Sequence, residues 1–360
     1  MAKLYIALLG LVGFASAANM PTVLLQNAVV DDNVRMPAVG LGTGGYGAPA
    51  EVWNNTVAYQ ATKLWLAEGG RYLDCALSYN TQVGIARAIK ESGIPRDDLW
   101  ITSKVPAGGT IAAPIPVNAT THPYEATLAS FALVQQQLQV KQVDLLLIHW
   151  PYGPTGAGLP FTPAQYRQAA WKALEHILAT GGARAIGVSN YEVKHLQDLE
   201  ALGGKLPAVD QVEFHPYYHE DALVSYCKGK GIQFDAYSPL GTADVVNANR
   251  YWTPSCLENA QIKRVAAAHP GFSAAQVVLA WLWGQGLVTH PRTESAAHMR
   301  ENLNAAGTLT LTAAEMATIS RGLAVPDCSS GPQKGTTCPT AVAKPARGCC
   351  KICPLTTTIP

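Results

Sequence analysis

The chain reads as an α/β protein made of repeated parallel βα units, and three observations carry that reading. Between about residue 20 and residue 325, short continuous apolar runs alternate with longer stretches of helical period. Runs that are apolar at nearly every position are how strands covered on both faces look. Only 14% of the residues are Asp, Glu, Lys or Arg, against 48% apolar, where an average soluble domain has roughly 25% charged; most of this chain therefore belongs to an interior, and a disordered chain is excluded.

Residues 1–17 carry one charge at Lys3, an uncharged run over 4–14 and then Ala15-Ser16-Ala17-Ala18, the three parts of a secretory signal peptide. The run is too short to cross a bilayer, and no later stretch predicts a membrane span. The leader predicts the secretory pathway, either secretion or an endomembrane lumen, and the sequons Asn54-Asn55-Thr56 and Asn118-Ala119-Thr120 predict a glycoprotein. Residues 23–39 read as two short strands around Asp31-Asp32-Asn33, a hairpin. Gly40, Gly42, Gly44, Gly45 and Gly47 follow in one loop, which alone marks only a turn.

Strands are then expected at 71–75, 99–105, 143–149, 184–189, 208–214, 232–238 and 287–291, and helices at 50–68, 81–91, 124–139, 162–180, 191–202 and 221–228. No eighth strand is legible. Strand followed by helix, repeated this often, means parallel units. A closed barrel and an open doubly wound sheet both satisfy the pattern, although the first turn after a strand, 76–82, lacks a G-x-G-x-x-G fingerprint. One domain is expected over 18–325. Residues 326–360 form a tail rich in cysteine (Cys328, Cys338, Cys349, Cys350, Cys353) that has no periodicity and is expected to be irregular, with disulfides as its only means of ordering.

The balance of 26 basic and 25 acidic residues, net +1, leaves no excess positive charge for nucleic acid. Chemistry is expected where polar groups end the apolar strands, because parallel α/β folds collect their sites at strand carboxyl ends. Lys104 ends one strand and needs a carboxylate partner in an interior; Asp74, ending the strand before it, is the natural one. Tyr79 lies five residues on, and a nearby ammonium is expected to lower its pKa toward a useful range. His149 adds a hydrogen-bonding group. Acid, cation, orienting carboxylate and polarising donor suit a carbonyl that is protonated on oxygen as its carbon is attacked. No strong nucleophile, Ser-His-Asp set or metal-ligand spacing accompanies them, so the attacking species is a hydride and a nicotinamide cofactor is implied.

These residues fall in eight ordered motifs: Met36-Pro-Ala-Val-Gly-Leu-Gly-Thr43, Asp74-Cys-Ala-Leu-Ser-Tyr79, Ile101-Thr-Ser-Lys104, Leu147-Ile-His-Trp-Pro151, Ala185-Ile-Gly-Val-Ser-Asn190, Gln211-Val-Glu-Phe-His-Pro216, Ala236-Tyr-Ser-Pro-Leu-Gly241 and Arg300-Glu-Asn302. In them the chain closely resembles the aldo-keto reductases over about 300 residues. The resemblance implies a (β/α)8 TIM barrel with an N-terminal β-hairpin closing its bottom, and an NADPH-dependent enzyme reducing aldehydes or ketones, of the aldehyde or aldose reductase type. It implies Tyr79 as general acid, Lys104 and Asp74 tuning it, and His149 orienting the carbonyl. Ser189, Asn190 and Gln211 match contacts of the nicotinamide carboxamide, and Tyr237 its stacking ring. Ser238 and Leu240 match pyrophosphate contacts, with Asp244 and Arg292 closing over them, and Glu301 and Asn302 match adenine contacts. Tyr46 and Trp150 are the expected substrate-pocket residues, and a monomer with a small carbonyl substrate is expected.

Two departures stand out. Arg292 replaces the family's usual Lys and His298 its usual Arg near the 2′-phosphate, which keeps NADPH preferred and leaves NADH open. Gly44 replaces an aromatic residue at the pocket. A sugar or polyol dehydrogenase and a barrel that binds the cofactor without turnover remain as alternative readings.

Overall fold

The computed structural model describes residues 20–28, 33–44, 54–108, 122–153, 160–241 and 256–321. The leader, the second sequon, Tyr46, Asp244 and the cysteine-rich tail lie outside the described residues. The first sequon lies within them, where Asn54 is the N-cap of the first helix, its Oδ1 accepting from the amides of Thr56 and Val57.

An antiparallel hairpin, β1 (Thr22–Leu24) with β2 (Arg35–Pro37), comes first. Then follow β3 (Leu41–Gly42), α1 (Asn55–Ala67), β4 (Tyr72–Asp74), α2 (Gln82–Ser92), β5 (Trp100–Val105), α3 (Pro123–Leu138), β6 (Val143–Ile148), α4 (Pro163–Ala179), β7 (Ala183–Ser189), α5 (Val193–Glu200), β8 (Val209–Glu213), α6 (Asp221–Gly229) and β9 (Gln233–Tyr237). The chain continues through α7 (Ala260–Ala267), α8 (Ala274–Trp283), β10 (Val288–Thr289), α9 (Ala296–Ala305) and α10 (Ala313–Ser320). Strands β3 to β10 lie side by side in chain order, each parallel to the next. The first and last also meet: the amide of Gly40 donates to Thr289 O at 2.9 Å, that of Thr289 to Ala38 O at 3.1 Å, and that of Gly42 to Pro291 O at 3.3 Å. The sheet is thereby a closed eight-stranded barrel, as the resemblance implies, and an open sheet is excluded.

The glycine-rich segment supplies the strand that apolar patterning does not reveal. Its pairing partners explain its composition. A Cβ on Gly40 would stand 2.4 Å from the Tyr72 ring, one on Gly42 2.5 Å from the carbonyl oxygen of His290, and one on Gly44 2.6 Å from the Tyr79 ring. Every second residue from Gly40 to Gly44 must lack a side chain so that Tyr72, His290 and Tyr79 can occupy the space.

Helices begin where sequence supplies a cap. Thr162, Ser273 and Thr312 each accept from the backbone three residues on, and Gln165, Gln276 and Glu315 reach back in capping boxes, each of which satisfies two amides that the helix leaves without partners. Alternation along the strands divides the core in two. Outward-facing Leu73, Ile101, Leu146, Ile148, Ile186, Val188 and Val212 pack against the helices. Inward-facing Tyr72, Trp100, Leu145, Leu147, Ala185, Val209 and Val288 form a second cluster with Leu25, Val34 and Met36 of the hairpin segment. The hairpin is therefore the plug of the barrel's amino-terminal end, and the interior above it is free to carry polar groups.

Helices α1 and α2 approach at Gly84, whose amide donates to Asn55 Oδ1 at 2.9 Å and where a Cβ would lie 1.9 Å from Asn55 O. Gly84→Ala is expected to lower the unfolding free energy by about 2 kcal/mol, the usual scale of an overpacked contact. Urea denaturation with unchanged m and an unchanged midpoint would refute this.

Candidate active site

The same alternation that points Leu145 and Leu147 inward brings His149, two residues further along β6, to the inside of the carboxyl rim. It does likewise for Asp74 on β4, Lys104 on β5, Ser189 on β7, Gln211 on β8, Asp235 and Tyr237 on β9 and His290 after β10. The walls of one pocket include Asp74, Tyr79, His149, Ser189, Asn190, Gln211 and Tyr237, together with Ser238, Leu240, His290 and Arg292. Sequence-expected residues from six strands thus meet at one rim.

Its centre is an ion pair. Lys104 Nζ lies 2.6 Å from Asp74 Oδ1 and donates also to Cys75 O at 3.1 Å; the two side chains are 1% and 2% exposed. A buried ammonium or carboxylate is costly unless partnered and hydrogen-bonded, and here both conditions are met. The second oxygen, Asp74 Oδ2, accepts from Gln211 Nε2 at 2.9 Å.

Tyr79 follows β4 in a short 3-10 turn over Leu77–Tyr79. Its hydroxyl is 3.4 Å from His149 Nε2, and Ser78 Oγ is 3.4 Å from His149 Nδ1. Lys104 Nζ lies 5.0 Å from the centre of the Tyr79 ring, so the ammonium addresses the ring. The expected lowering of the tyrosine pKa is corrected by this placement. Burial raises it well above the ordinary value and the Asp74 carboxylate raises it further, which keeps the phenol in the form that can give a proton. Burial, aided by the Lys104 charge, pushes the His149 imidazole down to about 3. Neutral His149 therefore offers a hydrogen bond without competing as an acid.

Asn190 and Ser238 adopt left-handed φ of 63° and 50°, uncommon for residues other than glycine and frequent at functional sites. Asn190 Nδ2 donates to His149 O at 2.9 Å and to Ser189 Oγ at 3.1 Å, and its Oδ1 accepts from the Tyr237 hydroxyl at 2.8 Å. Gln211 Nε2 donates to both Asp74 and Asp235 Oδ2, the latter at 2.7 Å. Arg292 NH1 donates to Gly44 O at 3.3 Å, across the seam between first and last strands. Trp150 stacks on His149 with ring centres 5.9 Å apart, and Tyr152 stacks on Trp150 at the same spacing, so an aromatic wall runs outward from the imidazole.

Glu301 and Asn302 lie on α9, away from the pocket's lining. The Glu301 carboxylate accepts from Ser273 Oγ at 3.1 Å, and Asn302 is buried. His298 is exposed beside Thr293. Sequence reasoning did not find Tyr152, Asp235 or His290. Asp235 had a signal: a charge inside the apolar run 232–238 needs a partner.

Lys104→Met would leave Asp74 buried without its nearest cation and should cost about 3–5 kcal/mol of stability. The double variant Asp74→Asn/Lys104→Met should recover much of that loss in the same urea titration, and equal losses in the two proteins would contradict the pairing.

The sequence model of the Aldo/keto reductase family matches residues 38–323. The chain is 35% identical over 283 residues to a glyoxal reductase of Bacillus subtilis, covering 79% of this chain and 88% of that protein. It is 33% identical over 273 residues to a 9,11-endoperoxide prostaglandin H2 reductase of Trypanosoma cruzi, covering 76% and 83%. Among solved structures, an aldo/keto reductase of Brucella melitensis superposes with a TM-score of 0.67 at 28% identity, covering 84% of this chain and 99% of that one.

Proposed function

The chain belongs to the aldo/keto reductase family, and from that premise we propose that it reduces small aldehydes or ketones to alcohols with NADPH, using Tyr79 as the proton donor. The observation that carries this reading is the convergence of Tyr79, His149 and Asp74 on one pocket at the barrel rim, with Lys104 paired to Asp74 and 5.0 Å from the centre of the Tyr79 ring. The name of the Bacillus subtilis relative supports a small reactive aldehyde as substrate.

The residues present suit a nicotinamide dinucleotide. Gln211 has its amide nitrogen committed to two carboxylates, which leaves its carbonyl oxygen as the acceptor for a carboxamide N–H. Tyr237 is held by Asn190 and provides a ring at the pocket wall. The Ser238–Gly241 turn lines the same pocket next to Arg292, whose fixed charge and planar fork suit phosphate. When bound, the cofactor supplies the hydride that the carbonyl carbon receives.

The remaining work belongs to the side chains. Neutral His149 donates a hydrogen bond to the carbonyl oxygen and, with the aromatic wall of Trp150 and Tyr152, orients it. Tyr79 transfers its proton to that oxygen as negative charge develops there. Lys104, beneath the ring, stabilises the phenolate left behind until it regains a proton from solvent, and Asp74 keeps the ammonium in place. Orientation and preorganised charge of this kind account for much of an enzyme's rate.

Loss of NADPH absorbance with a panel of small aldehydes tests the reading. Tyr79→Phe should slow turnover by about 100-fold or more while cofactor binding is retained; equal rates would favour a barrel that binds the cofactor without turning it over.

Arg292→Ala should weaken NADPH binding by about tenfold, the scale of one charge-assisted hydrogen bond, and leave NADH binding little changed. If the unaltered protein bound NADH and NADPH equally, the assignment of Arg292 to the 2′-phosphate would fail.

A further inference from the structure

Below the Asp74–Lys104 pair lies a second group of buried charges that the mechanism above does not use. Asp235 on β9 is fully buried, and its Oδ2 accepts from Gln211 Nε2 at 2.7 Å and from the Tyr72 hydroxyl at 3.3 Å. Both of those partners are neutral. The cation nearest to it is His290, whose Nε2 is 3.4 Å from Asp235 Oδ2 and whose Nδ1 is 3.9 Å from Asp74 Oδ1. Gln211 bridges the two carboxylates, so Asp74, Lys104, Asp235 and His290 form one network with two negative and up to two positive charges. Gly42 makes room for it, since a side chain there would strike His290.

His290 is also part of the pocket wall, with Gln211, Ser189, Asn190 and Tyr237. Its charge is thus exerted on the region where the functional reading places the nicotinamide, a ring that is cationic when oxidised and neutral when reduced. We propose that His290 sets the pocket's preference between the two redox forms of its dinucleotide: with its proton the network is neutral, and without it an uncompensated negative charge favours the oxidised form. The proposal rests on the functional reading above.

The surroundings of His290 decide the sign. Asp74 and Tyr72 face it from β4, Lys104 from β5 and Asp235 from β9, with Tyr79, His149 and Arg292 on the same pocket; Gly42 on β3 and Gln211 on β8 bring no titrating group. Burial alone would push the imidazole down, but Asp74 and Asp235 override it and hold His290 above its ordinary value. Burial likewise opposes ionisation of Asp235, and His290, with Gln211 and Lys104, more than offsets it. The protonated state therefore persists to higher pH than that of an ordinary imidazole and is lost as the pH rises further. Asp74, Asp235 and His290 also converge closely enough to ligate a cation; Lys104 at 2.6 Å from Asp74 already supplies positive charge there.

The test measures dissociation constants of the full chain for NADP+ and NADPH from about pH 5.5 to 9, spanning the histidine range. The 2′-phosphate is common to both and cancels in their ratio. The ratio of the NADP+ constant to the NADPH constant should fall on the order of tenfold as pH rises, the usual size of coupling between two sites. In Asp235→Asn/His290→Gln, which lacks both charges, the ratio should not vary with pH. His290→Gln alone should show the wild-type alkaline ratio already at neutral pH. A pH-independent ratio in the wild type, or the same dependence in the double variant, overturns the proposal. Failure of both dinucleotides to bind at any pH overturns the functional reading and this inference with it.

Discussion

The carboxylate of Asp74, sealed inside the barrel, is the constraint around which the rim is arranged. An ion in that position persists only if donors and opposite charge surround it: Lys104 and Gln211 donate to it at 2.6 and 2.9 Å, and the His290 imidazole stands 3.9 Å away. Each is immobilised by the requirement. The ammonium is held under the Tyr79 ring, the Gln211 amide is turned so that its nitrogen serves two carboxylates, and the imidazole is drawn against the second of them. The cost of burying charge and the precision of the site are two aspects of one arrangement.

Strand alternation explains why that arrangement sits at one end. On β4, β5, β6, β7, β8 and β10 the inward positions are apolar near the hairpin and polar at the carboxyl ends, and β9 brings Asp235 inward instead. A single period-two pattern therefore builds a dry floor and a charged rim without any irregularity in the strands. Gly40, Gly42 and Gly44, in and beside β3, complement it by leaving volume for Tyr72, His290 and Tyr79.

Seven barrel strands, the hairpin and six helices were legible because apolar runs and helical periods are local signals. The eighth strand was not, because a two-residue strand of Leu41 and Gly42 has neither length nor propensity and exists through its partners. The four charged and aromatic groups at the centre were legible as strand-end residues, and their convergence follows from the closed barrel. The direction of the Tyr79 shift was misread because it is set by burial of the phenol and by the Asp74 carboxylate, neither of which the spacing of Tyr79 and Lys104 reveals. His290 was missed for a related reason. A histidine beside a proline carries no pattern of its own, and its importance comes from Asp235 on the neighbouring strand.

The seam between residues 38–42 and 289–291 bears on the order in which the molecule assembles. Contacts between segments this far apart in sequence are the slowest to form, because the loop must be closed before they contribute. Asp74 and Lys104 come from the first third of the chain and His290 from the last, and they share one interior only when the seam has met. Until then both carboxylates are in water. The loss of their hydration thus falls on the closing step of folding, and a nascent chain that still lacks its last strand carries all of the early rim residues with no enclosed site.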